Sequence, residues 1–215
     1  MTALWVRSRI RYAVFLANIN PRPVLKKLAS ITSFLLHPMM VAPFTFSLLT
    51  YTGKEHSSNH IIFFTAFFFS TLLSTITVIY LKRSGKITDL DASIREQRVQ
   101  PLVLGAIYHG IGFLVLWYLN AAPIIQGLMF CYAVNTAIVW LITMKWKISI
   151  HAIGLGGPLV ALWFHGIQYP FGMAASLALV CISRIILKAH TPLQVLTGAG
   201  LAMSLAYIEL NLFFL

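Results

Sequence analysis

Charged side chains are scarce in this chain. Asp, Glu, Lys and Arg make up 10% of its 215 residues, whereas soluble domains carry about 25%. A water-soluble fold of this length cannot cover its surface with so few charges, which excludes a soluble globular domain. Acidic residues are rarer still, 5 against 16 Lys and Arg. With only Asp89, Asp91 and Glu96 close together in sequence, an all-carboxylate magnesium site looks thin. Cysteine is nearly absent: Cys131 and Cys181 sit in apolar runs and match neither a disulfide framework nor a metal pair. Continuous basic runs and any recognition module are missing too, so the net charge of +11 does not indicate a nucleic-acid partner. Apolar residues are what the chain has in quantity, at 59%. It reads as an all-α, polytopic transmembrane bundle whose environment is the lipid bilayer.

A hydrocarbon core about 30 Å thick needs about 20 apolar residues. Segments 30–51, 60–81, 101–119, 123–144, 148–166, 170–188 and 192–214 meet that need, predicting about seven spans in a single domain, 1–215. Residues 1–29 form a basic N-terminal segment whose apolar stretch is too short for a signal-peptide core. Pro38 and Pro43 make 30–51 the weakest span. With the N-terminus in the cytoplasm, 15 of the 16 Lys and Arg fall on the inner side, leaving Lys54 outside. Setting aside four cations assigned below to a site still leaves 11 against 1. The expectation is a multi-pass protein of the cytoplasmic (inner) membrane.

Three polar stretches then emerge on that same face. In the first, Arg95 and Arg98 are three apart and share a helix face if the helix begins before Pro101, making a fork for phosphate oxygens. Snorkelling, with pairing to Asp91 or Glu96, explains the same residues equally well. The second runs Lys147-Ile-Ser149-Ile-His151. Ser149 and His151 meet one ligand only at a helix start, where free N–H groups favour anions. Gly154, Gly156 and Gly157 follow and permit close helix approach. The alternative is a capping histidine above a packing motif. The third holds Ser183-Arg184, His190, Pro192 and Gln194. His190 and Gln194 are four apart, and Pro192 suits a first helical turn, placing His190 at or just before a helix N-terminus, where a neutral imidazole is favoured. A structural interfacial histidine is the competing explanation. Together these residues suit phosphoryl transfer without a metal or other cofactor: cations hold the phosphate, one histidine attacks and another protonates the leaving oxygen.

The pattern resembles the type-2 phosphatidic acid phosphatase superfamily of membrane lipid-phosphate phosphatases, whose motifs are K-x6-R-P, P-S-G-H and S-R-x5-H-x3-D. Ser183, Arg184, His190 and Gln194 give S-R-x5-H-x3-Q, residues 148–151 stand where the second motif is expected, and 95–101 where the first is. These blocks cover roughly the second half of the chain. More closely still, the chain resembles a divergent prokaryotic branch with R-x-x-R, K-x-S-x-H and H-T-x-x-Q patterns. The resemblance implies a six-helix phosphatase-like core plus an extra helix or hairpin. His190 would form a phosphohistidine and His151 would act as general acid. Arg184, Ser149, Arg98 and Arg95 would hold the phosphate, with Lys147 added on position alone. The implied substrate is a lipid phosphate or diphosphate, prenyl diphosphate or phosphatidic-acid-like.

The departures from the family pattern matter. Asp91 stands where the first motif has Lys, Val99 replaces its Pro, and Gln194 replaces the Asp that orients the nucleophile. Asp91 or Glu96 would have to supply the missing charge. The alternatives are therefore a weak or inactive relative that binds or presents lipid phosphate, and a phospho- or prenyltransferase. Elsewhere, His37-Pro38 reads first as a kink with a satisfied histidine, His109, Asn135 and His165 as cross-helix hydrogen bonders, and Glu209 as interfacial.

Overall fold

The computed structural model describes residues 21–53 and 58–215. Among them the chain is all-α, with no strand. The basic stretch 1–20 and Lys54, on which part of the sidedness count rests, lie outside the described residues.

Proline starts helices here more often than it interrupts them. Pro23, Pro38, Pro123, Pro170 and Pro192 open α1 (Pro23–Leu35), α2 (Pro38–Tyr51), α6 (Pro123–Thr143), α8 (Pro170–Ile186) and α9 (Pro192–Phe213). At a first turn the missing N–H is no loss and φ is already helical. Between these lie α3 (Asn59–Phe67), a π turn (Phe68–Leu72) and α4 (Leu73–Arg83), which form one continuous rod. A 3-10 turn (Arg95–Arg98) then leads into α5 (Val99–Tyr118), and α7 spans Ile150–Phe164. The segment expected as one span, 30–51, is a bent pair of helices, either one broken span or a re-entrant loop. The helix begins at Pro23 and breaks before Pro38, with a 45° bend, because a proline ring pushes the residue before it out of helical geometry. His37 accordingly sits at φ −67°, ψ 141°.

Four helical segments are long and apolar enough to cross a membrane: Asn59–Arg83, Arg95–Tyr118, Pro123–Thr143 and Pro192–Phe213. The bent pair α1–α2 makes a fifth if taken as one broken span. Helices α7 and α8, at 15 and 17 residues, are about 22 and 25 Å long at 1.5 Å per residue. Most of α7 is buried, from His151 through Leu162, so its apolar character serves the bundle interior. Glu209, expected at an interface, is also buried, within hydrogen-bonding reach of the Cys131 thiol.

The helices run back and forth, so that the turns after α4, α6 and α8 gather at one end. Exposed Tyr51, Trp117, Tyr118 and Tyr169 mark the other end, as aromatic residues do at a membrane interface. Two glycines draw the gathered end tight. A methyl group on Gly198 of α9 would meet the Ser149 carbonyl at 3.0 Å, and one on Gly154 of α7 would meet the Pro38 ring at 2.5 Å. The starts of α2, α7 and α9 are thereby held against one another.

Candidate functional site

Helix ends build this site. Helix α8 finishes in a Schellman turn: Ala189 N–H donates to Arg184 C=O at 3.0 Å and Lys188 N–H to Ile185 C=O at 2.9 Å. His190 N–H also returns to the Arg184 carbonyl, at 3.3 Å. The five-residue gap between Arg184 and His190 is thus the length of that turn, which folds both residues back to one place. The same turn closes α4, α5 and α7 with Gly85, Asn120 and Gly166 in the left-handed position, but here Lys188 occupies it at φ 55°. Replacing Lys188 with glycine should raise the unfolding free energy by about 1 kcal/mol, read from denaturant midpoints in detergent.

Thr191 caps α9 and Gln194 closes the capping box, its Oε1 accepting the Thr191 N–H at 3.1 Å. That bond identifies the oxygen end of the amide. The same Oε1 lies 3.1 Å from His190 Nδ1, so Nδ1 carries the proton and donates. Nε2 then holds the lone pair, and it is buried with no partner. Burial lowers the His190 pKa to about 3, with Arg98, Lys147 and Arg184 adding repulsion and Gln194 opposing. The imidazole is neutral at physiological pH.

An unfolded histidine takes up its proton near pH 6.5 and the folded one near 3. The unfolded state therefore binds more protons between these values, and stability falls as pH drops below about 6.5. In thermal unfolding from pH 7 to 5, His190→Gln should flatten that slope by up to one proton.

Arg184 is buried and holds the centre of the site. Its Nη1 donates to Ser33 Oγ at 2.7 Å and lies 3.4 Å from His151 Nε2, and its Nη2 lies 3.1 Å from Asp91 Oδ2. A guanidinium only donates, so His151 Nε2 is the acceptor in this contact. His37 caps α2, its Nδ1 accepting the Met39 N–H at 3.1 Å, which leaves the proton on Nε2, 3.7 Å from Asp91 Oδ1. Its ring meets that of His151 edge-on at 4.7 Å. His37, with His151 and Arg184, holds the Asp91 carboxyl well below the usual carboxylate range. Ser149 caps α7 and is fully buried, its Oγ accepting the Ala152 N–H at 3.4 Å.

His37, Asp91 and His151 place three ligand-type atoms within 4.8 Å of one another. Two features argue against a cation between them. Arg184 already puts positive charge on both Asp91 and His151, and His37 has only one lone pair, which the Met39 N–H uses. The donor set fits a hydrogen-bonded charge cluster better than a metal centre.

The expected site residues divide into two groups. His190, Gln194, Arg184, His151, Ser149, Arg98 and Lys147 come together at one end of the bundle. Lys147 has its pKa lowered by burial and by Arg98 and Arg184. Arg98 is also structural, clamping the Ala92 carbonyl at 2.7 Å and the Ile148 carbonyl at 3.0 Å. Arg95 turns away: it pairs with Glu96 at 2.6 Å and donates to the Met144 carbonyl at 3.2 Å. The 3-10 turn does not present the two guanidiniums as one fork. Sequence reasoning passed over Ser33 and ranked His37 as a kink. A histidine directly before proline in an apolar run was the available signal, since the turn that proline forces also aims the imidazole inward.

No family model, curated protein or solved structure matches the chain.

Proposed function

We propose that this protein is a membrane-embedded, metal-independent phosphatase of a lipid phosphate or diphosphate, acting through a phosphohistidine on His190. One observation carries the reading. A neutral, buried imidazole has its Nδ1–H tied down and its Nε2 lone pair unpartnered, within electrostatic reach of Arg98, Lys147 and Arg184. A nucleophile held in its reactive form beside fixed cations is what phosphoryl transfer requires.

For a monoanionic phosphate ester, Nε2 attacks phosphorus and the bond to the ester oxygen breaks. His151 relays the ester's own proton to that oxygen, releasing the alcohol and leaving a phosphoryl group on His190. Water then attacks phosphorus, frees dihydrogen phosphate and restores the neutral imidazole. Arg98, Lys147 and Arg184 stabilise the charge on the phosphoryl oxygens, and Ser149 stands at the start of α7, where free N–H groups favour an anion. Purified protein in detergent should release phosphate from prenyl diphosphates or phosphatidic acid with a chelator present. Failure across a broad lipid panel overturns the reading.

Seven crossings with the site on the cytoplasmic face belong to the same proposal. They are supported by the Lys and Arg distribution and by the gathering of the three polar turns at one end. Membrane-impermeant labelling of a cysteine placed at Lys188, in a Cys131/Cys181-free background, checks the side.

One observation favours a second reading, a relative that binds lipid phosphate without turning it over. The group on His190 Nδ1 is an uncharged amide shared with a helix cap. Glu at position 194 keeps the length and both acceptor contacts and adds the charge that stabilises an imidazolium. Gln194→Glu should raise turnover about tenfold or more if the protein is a slow enzyme. Activity absent in both forms, with orthovanadate still bound, supports the binder.

A further inference from the structure

A cavity of about 190 Å³ extends from the site into the bundle. Asp91, Arg98 and His151 stand at the site end, and Ser70, His109 and Asn135 line the rest. The cavity shares Arg98 and His151 with the phosphate-binding group, but neither His190 nor Lys147 lines it. It therefore opens on the Arg98 and His151 side of the site rather than beside His190 and Lys147. In-line displacement sends the leaving oxygen to the side of phosphorus opposite the attacking atom. His151, the residue placed to protonate that oxygen, is in the cavity wall.

The deep end is not plain hydrocarbon. Asn135 is only 6% exposed and lines the cavity, yet its Oδ1 has no hydrogen-bond partner, and neither does the hydroxyl of its neighbour Tyr132. His109 Nδ1 is already taken up by the Tyr132 carbonyl at 3.3 Å and faces Thr136 Oγ1 at 3.4 Å. The π turn Phe68–Leu72 adds the Ser70 side chain to the same wall. Such turns inside helices often mark functional positions. Asn135 stands eight residues before Thr143 in α6, about 12 Å from that helix end at 1.5 Å per residue.

We propose that this cavity receives the leaving alcohol of the phosphate ester and selects one carrying a second hydroxyl, or another hydrogen-bond donor, at its far end. The inference rests on the phosphatase reading and names its substrate class, the phosphate ester of an amphipathic alcohol polar at both ends. A bare hydrocarbon in the cavity leaves the Asn135 oxygen unpaired and shut off from water. A distal hydroxyl satisfies it. Sites built to hydrogen-bond a ligand group discriminate strongly against analogues that lack it.

The test compares free alcohols, which need no turnover. Thermal unfolding of the purified full chain is followed with 1,8-octanediol and, separately, with 1-octanol. The diol is the more water-soluble, so an undiscriminating apolar cavity favours octanol. The expected result is a given rise in Tm at about tenfold lower concentration of the diol, with the order reversed in Asn135→Leu. Octanol matching or beating the diol on the wild-type chain overturns the proposal, as does a diol preference unchanged in Asn135→Leu. The wild-type comparison needs no variant to fold. Orthovanadate binding, measured alongside, separates the two claims. Bound vanadate with octanol preferred sinks the cavity assignment alone, and diol preference without vanadate binding sinks the phosphatase reading while supporting the cavity's selectivity.

Discussion

Alanine at His190 should abolish phosphate release, by about 10⁴-fold or more, while leaving orthovanadate affinity within a few-fold. In the proposed reaction the imidazole supplies its unpartnered lone pair, while the phosphate charge would be met by Arg98, Lys147 and Arg184. Loss of the nucleophile therefore removes the chemical step and spares most of the binding. His190→Gln serves as a second variant that fills more of the space and keeps a polar group near Gln194. Phosphate release measured under single-turnover conditions, with vanadate titration on the same preparations, gives both numbers. Equal losses in turnover and vanadate affinity would make His190 a binding residue and remove it as the nucleophile.

Replacing Arg184 should have the opposite profile, with vanadate affinity and turnover both falling at least about a hundredfold. This guanidinium also ties Ser33 of α1 and Asp91 of the loop after α4 to His151 of α7. Breaking a buried pair by removing one partner is costly because the other is left uncompensated. Asp91 retains some solvent contact, so the stability loss in Arg184→Leu should be about 2 kcal/mol rather than the 3–5 of a fully enclosed pair. Adding Asp91→Asn to Arg184→Leu should recover much of the stability and none of the phosphate affinity. Arg184→Lys should not rescue binding either, because one ammonium cannot reproduce contacts made from two separate nitrogens. Urea-denaturation midpoints for the single and double variants, beside vanadate titrations, check each part.

These two residues were legible in the sequence because local rules place them. The Ser183-Arg184 to His190 spacing is one Schellman turn, and Thr191-Pro192-Leu193-Gln194 is a capping box with proline at the first helical position. Helix chemistry that operates within six residues can be read directly from the chain. His37 and Ser33 belong to a different case. Their roles depend on how α1 and α2 pack against α8 and α7, a contact between distant segments that no spacing encodes. Arg95 shows the converse: a spacing of three suggested a shared face, but Glu96 beside it and the Met144 carbonyl supplied nearer partners. The span count was legible only in part. A helix shielded by its neighbours and one facing lipid carry the same apolar composition, so the enclosure of α7 by α2, α6, α8 and α9 was not legible, and by length and composition only four or five spans are shown.

Asp91 links the cation and the histidines around it. It stands where the resemblance called for a lysine, and it lies against Arg184 and His37 rather than against His190. The carboxylate thus orders Arg184 and His37 beside His151, whereas His190, the proposed nucleophile, is oriented by an amide. If His190 is phosphorylated as proposed, that division leaves it uncompensated, and turnover of the intermediate should be slow enough to trap it.

The most direct measurement is therefore chemical. The protein is incubated with a ³²P-labelled prenyl diphosphate or phosphatidic acid, quenched in alkali and mapped by peptide. An acid-labile, alkali-stable label on the peptide containing His190, absent in His190→Ala, is the predicted result. Sustained phosphate release with no label on that peptide, or with the label on another residue, would contradict it.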